Sequence, residues 1–187
     1  GTLVASYDGY KLAKQINILN RWQYTDAEKG WVSFASIRWM QDDKQIGAVG
    51  FNPVSDRNNN RVWGSEISTD RIDSSLKVGY VFPEIPYQSF GFQSAYSNHK
   101  QEAYYGFRSY EIDQESFYAN LLFNSIIGNT KNKFKAGLNF SFDQYLETVD
   151  TFFFDRTDRS VGSFFEYSYD NLENFSFVGG ARVDIHN

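Results

Sequence analysis

Phe134, Ala136, Leu138, Phe140 and Phe142 alternate with Lys135, Gly137, Asn139, Ser141 and Asp143, a period of two without an exception. Successive side chains of a β-strand point to opposite faces, so this period predicts a strand with one apolar side. The same alternation places Phe175, Phe177, Gly179, Ala181, Val183 and Ile185 on one face near the C-terminus. It recurs for Leu76, Val78, Tyr80 and Phe82, for Phe90, Phe92 and Tyr96, for Phe117, Ala119, Leu121 and Phe123, and for Val161, Phe165, Tyr167 and Tyr169. Two less regular segments, 15–24 and 31–41, complete eight predicted strands. Each has about ten residues or more, longer than the five or six usual in soluble sheets. The opposite faces carry Gly, Ser, Asn, Gln, Lys and Arg, which suits a polar interior better than a packed core.

Connections sharpen this picture. Segments 25–30, 83–86, 128–133 and 170–174 are short and carry the Gly, Pro, Asn or Asp that tight turns need. Between them lie longer, more polar stretches at 42–62, about 99–106, and 147–158. A barrel in an outer membrane has short turns at one rim and long loops at the other, an order with no counterpart in a soluble meander. Aromatic residues bracket every short turn: Trp22, Tyr24 and Trp31; Tyr80, Phe82 and Tyr87; Phe123 and Phe134; Tyr167, Tyr169 and Phe175. Amphipathic rings settle at the boundary of hydrocarbon and headgroup, so these predict a girdle at one rim.

Composition narrows the function classes. Aromatic residues make up 19% of 187, and Pro (3) is scarce, as strands prefer. Mean hydropathy is −0.52, and no apolar run is long enough for a spanning helix. A closed barrel remains open, because its alternating strands average as polar. No secretion signal is recognisable at the N-terminus. Eighteen Lys and Arg against 23 Asp and Glu, scattered along the chain, leave no basic stripe, so nucleic acid is not an expected partner. Cysteine is absent, which removes disulfides and thiolate chemistry.

Several short motifs carry a resemblance. Lys14-Gln15-Ile16-Asn17-Ile18-Leu19-Asn20-Arg21-Trp22, Lys77-Val78-Gly79-Tyr80, Tyr104-Tyr105-Gly106 through Tyr110, and Asp143-Gln144-Tyr145-Leu146-Glu147 resemble TonB-dependent outer-membrane receptors. So does Gly162-Ser163-Phe164-Phe165-Glu166-Tyr167, followed by Gly179-Gly180-Ala181-Arg182-Val183-Asp184. The resemblance implies a 22-stranded transmembrane barrel, an N-terminal plug, and energy drawn through the TonB complex, used to import a scarce nutrient such as an iron chelate, cobalamin or an oligosaccharide. Spread over 22 strands, 187 residues leave about 8.5 each, below the roughly 9 to 11 that a crossing strand takes. With no plug or TonB box recognisable and no terminal aromatic, residues 1–187 read as a single internal segment of about eight strands of an antiparallel up-and-down transmembrane β-barrel. Its expected setting is the bacterial outer membrane, its partners outer-membrane lipid, a small nutrient ligand, and the TonB complex through a plug outside this chain. Two alternatives stay open: a complete eight-stranded barrel for anchoring or adhesion, and a soluble secreted protein that binds or cleaves carbohydrate.

Catalytic chemistry is sparse. Only His99 and His186 are present, and no His-Glu-x-x-His motif occurs, so no zinc hydrolase, cofactor or other enzyme arrangement is expected. Gly47-Ala48-Val49-Gly50 lacks the Lys-Ser or Lys-Thr of a phosphate-binding loop, and the adjacent Asp42 and Asp43 point to opposite faces of a strand. Glu111, Asp113 and Glu115 share one side of a strand and read as a solvated face beyond the membrane. Arg182 is expected to pair with an acid such as Glu166. Ligand contacts in a receptor come from loops, which singles out Asp56, Arg57, Arg61, His99, Arg108 and Tyr110, with His99 at a loop edge.

Overall fold

The computed structural model describes residues 9–57, 62–171 and 173–187. They form one antiparallel meander of nine strands: β1 (Gly9–Asp26), β2 (Trp31–Ala48), β3 (Gly64–Val81), β4 (Ser89–Tyr105), β5 (Arg108–Ile127), β6 (Asn129–Val149), β7 (Phe152–Phe153), β8 (Arg156–Asp170) and β9 (Ser176–His186). The order across the sheet is β1-β2-β3-β4-β5-β6-β8-β9, with two-residue β7 paired to β6. No helix occurs among the described residues, as the period of two predicts. The sheet is open: the outer edges of β1 and β9 pair with no strand among the described residues.

The eight long strands run from 11 to 21 residues and exceed the predicted segments mainly at one end. The connection expected at 99–106 shrinks to Gly106 and Phe107, because β4 continues to Tyr105 and β5 starts at Arg108. Gly106 makes that two-residue reversal possible with a φ of 64°. Likewise the 42–62 connection begins only at Val49, and the 147–158 connection reduces to 150–155 apart from the short β7. His99 accordingly lies within β4, not at a loop edge.

Strand register assigns every side chain to a face. Trp31 lies opposite Tyr80, Tyr80 opposite Phe90, Phe90 opposite Phe123, Phe123 opposite Ala136 and Ala136 opposite Phe165. Around this row the rings form a continuous chain near the short turns. Centroid separations are 4.6 Å for Trp31–Tyr80, 5.0 Å for Tyr80–Phe82, 5.9 Å for Phe82–Phe90, 4.6 Å for Phe90–Phe123, 5.8 Å for Phe123–Phe134 and 5.9 Å for Phe134–Phe165. Tilted, edge-on and stacked pairs at such distances each stabilise by about 0.5–1.5 kcal/mol beyond their burial. Seven of the rings, from Trp31 to Phe165, thus form a row of contacts along one face near the short turns.

The other face is held by polar bonds between neighbouring strands. Ser36 and Ser75 hydroxyls meet at 2.8 Å, Ser97 donates to Asp73 at 2.8 Å, Ser116 donates to Asp143 at 2.6 Å, and Ser141 meets Ser160 at 2.8 Å. Lys135 pairs with Glu166 at 3.1 Å and Arg182 with Asp184 at 2.7 Å. The expected partner of Arg182 is thus corrected: Glu166 lies directly opposite Lys135, while Asp184 lies two residues along the same face of β9. Phe164 interrupts the polar surface, its ring filling the space over Gly137.

Nothing among the described residues covers the apolar face. Accessible surface totals 13105 Å², whereas a compact monomer of this mass exposes about 9,200 Å². The excess marks a single-layer sheet whose apolar side faces its surroundings.

One connection does fold back on the sheet. Gly47 and Gly64 lie opposite each other at the ends of β2 and β3, and the Phe51 ring occupies the space that side chains at both positions would take. Phe51 is only 4% exposed. Its amide donates to the Ala48 carbonyl at 3.0 Å, closing the turn that brings the ring down. Phe51→Ala is expected to free the 49–57 strap at a local cost of about 3 kcal/mol, the low end for a buried phenylalanine. Proteolysis within the strap should accelerate while the strands stay protected from hydrogen exchange; unchanged cleavage would refute the anchor.

Candidate functional site

Away from the short turns the apolar face changes character. Along β3 the sequence on that face is Tyr80, Val78, Leu76, Ser74 and Ile72, then Asp70, Ser68 and Glu66. Along β4 it runs Phe90, Phe92, Ser94 and Tyr96, then Asn98, Lys100 and Glu102, and along β5 Phe123, Leu121, Ala119 and Phe117, then Glu115, Asp113 and Glu111. The strands therefore continue past the apolar band as a polar wall. Its first layer is a collar of bonds: Tyr96 donates to Glu115 at 3.1 Å, Asn98 to Asp113 at 3.0 Å, and Lys100 pairs with Asp113 at 2.8 Å. The hydrogen bond to Asp113 and its charge raise the Lys100 ammonium above its ordinary pKa. Glu111, Asp113 and Glu115 share this side, as their spacing predicts.

Above the collar is a cleft of about 560 Å³ between the strap and the wall. Lys14, Arg57, Glu66, Glu102, Tyr104 and Glu111 contribute to its lining. Arg57, carried on the strap, lays its guanidinium 4.8 Å from the centre of the Tyr104 ring, a favourable cation–π distance. Two acids of the cleft are already engaged: Ser68 donates to Asp43 at 2.7 Å, and Gln45 donates to Glu66. Glu102 and Glu111, by contrast, face each other directly across β4 and β5, an arrangement that destabilises a ladder. Neither has an ion pair among the described residues.

Of the residues singled out from sequence, Asp56, Arg57, Arg108 and Tyr110 fall at this rim, His99 lies further down within β4, and Arg61 lies outside the described residues. They do not converge. Arg57 lines the cleft. Asp56 staples its own loop by accepting from the Asn52 amide at 2.8 Å. Arg108 lies at the β4–β5 tip, 4.0 Å from Asp150, and Tyr110 lies on the polar face, bonded to Glu147. Burial foremost, then the Glu147 hydrogen bond, raises the Tyr110 phenol above its ordinary pKa. Beside them Arg156 stacks 4.1 Å over Tyr145. Tyr104, Glu66 and Glu102 went unrecognised from sequence because they fell in stretches read as loop or lacking a pattern. Among the described residues no group of His, Asp and Glu has the arrangement of a metal site.

His99 lies on the polar face opposite Arg71, three residues along β4 from Tyr96 at the edge of the apolar band. Burial, followed by the Arg71 charge, lowers its pKa below the ordinary histidine value, with Asp73 opposing. A lowered folded-state pKa means that the unfolded chain binds more protons between that value and the ordinary 6.5, so the contribution of His99 is complete above pH 6.5 and is lost as pH falls through the folded value. Urea midpoints measured from pH 7.5 down to 5 should fall more steeply for the parent chain than for His99→Asn. Equal slopes would contradict the account.

No family model matches the chain, and neither a curated protein nor a solved structure matches it.

Proposed function

We propose that this chain is barrel wall from a TonB-dependent outer-membrane receptor, a non-enzymatic importer of a scarce nutrient. In this reading the apolar face meets lipid, the ring row marks one headgroup boundary, and the strap and hairpin tips stand outside the cell. The observation that carries it is the uncovered apolar band, bounded at one end by the row of rings and at the other by the charged collar. From Tyr80 to Ile72 the band covers nine residues of β3. At about 3.3 Å per residue and a tilt near 40°, it stands roughly 20–25 Å tall, which matches the lipid-facing band of outer-membrane barrels. Small and hydrogen-bonded residues on the other face suit a polar interior, and the unpaired edges of β1 and β9 suit continuation or closure of the barrel.

No helix among the described residues is long and apolar enough to cross a membrane. Strands are the remaining means of crossing, and their length of up to 21 residues leaves ample extension beyond the bilayer. The nutrient would meet the polar-face cluster at the rim, where Tyr110, Glu147, Arg108 and Asp150 combine stacking, acceptor and donor groups. Expression in a bacterium with an outer membrane tests the reading: the chain should stay with the membrane after alkaline carbonate extraction and dissolve only in detergent. Release into carbonate, or a monodisperse protein in plain buffer, would sink it. In a longer transporter containing this segment, Arg108→Ala or Tyr110→Ala should reduce uptake several-fold without changing barrel stability.

A further inference from the structure

We propose that the cleft beneath the strap is a sugar-binding site, taking one or two hexose units on the lipid-bearing side of the wall. It is distinct from the rim cluster on the polar face. The lining chemistry selects the ligand. Glu102 and Glu111 are acceptor-only groups that repel each other, so a ligand offering several donors would relieve an unfavourable pair. Lys14 and Arg57 line the same space as donor-only groups. An anion would meet the carboxylates, and a bare cation would meet Lys14, Lys44 and Arg57. A hydroxyl both donates and accepts, and a polyol presents many of them without net charge. A space of about 560 Å³ falls within the range of small-molecule sites.

The site is also preformed. Phe51 in its two-glycine slot fixes the strap, and the Tyr104 ring holds Arg57 in place as a roof, so little ordering is left for the ligand to impose. Height then indicates the source. Ser68 and Glu66 lie four and six residues beyond Ile72, the last apolar position of β3. That is about 13–20 Å along the strand. If the membrane reading is right, on which this part of the inference rests, the same tilt puts the cleft roughly 10–15 Å above the hydrocarbon edge, just past the phosphate layer, and a sugar headgroup carried by a lipid reaches it more directly than a free oligosaccharide does.

The test uses the full chain in phosphocholine micelles, with backbone amide resonances followed by NMR. Maltose, cellobiose and N,N′-diacetylchitobiose are titrated free, and dodecyl maltoside is then added to the micelle as an anchored disaccharide. The expected result is saturable shifts at Ser68, Glu102 and Glu111 with at least one free disaccharide, and with the anchored one at a bulk concentration at least about tenfold lower, as tethering raises effective concentration. The double variant Glu102→Ala with Glu111→Ala should weaken free-sugar binding about tenfold while keeping or raising the unfolding midpoint, since it also removes the repulsion. Absence of saturable shifts in every titration, or shifts indifferent to the double variant, overturns the site. Binding of free sugar alone supports the site and overturns the headgroup as its source. Carbonate extraction reports separately on the membrane reading, so its failure is distinguishable from the failure of the site.

Discussion

On the proposed membrane reading, Leu121→Arg is expected to destabilise the inserted protein by about 2–4 kcal/mol, the cost of a cation facing lipid near the midplane. Leu121 is at the centre of the band on β5, opposite Phe92 on one side and Leu138 on the other. It is 42% exposed, so in a sheet bathed by water the same change would stay within about 0.5 kcal/mol. Ala95→Lys supplies the control. Ala95 is exposed on the polar face, between Ser75 and Tyr118, and a lysine there meets a hydrated surface. Urea-dependent folding into phosphatidylcholine vesicles, read by heat-modifiable gel mobility, separates the two variants. Equal effects would mean that the faces do not differ in solvent.

The second large effect belongs to a turn. Gly30 closes the β1–β2 reversal with a φ of 74°, and its carbonyl accepts from the Val81 amide at 2.8 Å. A side chain there would run into the Val81 carbonyl oxygen, which is backbone and cannot step aside. Left-handed strain of about 1–2 kcal/mol adds to that clash, so Gly30→Ala should cost more than about 3 kcal/mol. Gly128 has the same φ of 74° but no atom within 4 Å of where a side chain would begin. Gly128→Ala therefore carries the strain alone, about 1–2 kcal/mol. Equal losses for the two glycines would show that the contact at Val81 contributes nothing.

These sites differ in how far sequence reveals them. The faces were legible wherever apolar and polar side chains alternate, because a strand has no other way to sort them; Phe134 to Asp143 is the clearest instance. Strand ends were not legible where alternation passes from apolar–polar to polar–polar. Residues 98–105 and 108–116 keep their extended backbone and their pairing, yet every second position no longer announces itself, and His99 consequently read as the edge of a loop. The cleft was hidden for a different reason. Glu66, Glu102 and Glu111 become neighbours only through the register of three strands, and register follows from the 82–88 turn between β3 and β4 and the tight Gly106 hairpin between β4 and β5 together. Arg57 could be picked out as a charge in a polar stretch. Its stacking on Tyr104 depends on Phe51 finding the gap between two glycines, which no local pattern encodes.

The lipid-facing assignment of the apolar side is tested most directly by single cysteines, for which the chain offers a clean background because it has none. Cysteine is placed in turn at positions 116 to 123 of β5, labelled with an environment-sensitive fluorophore, and the protein is reconstituted in vesicles containing spin-labelled lipid. The account predicts quenching by lipid at Phe117, Ala119, Leu121 and Phe123, and quenching by aqueous iodide at Ser116, Tyr118, Asn120 and Leu122. Quenching without a period of two, the opposite alternation, or a protein that never enters the vesicles would contradict it.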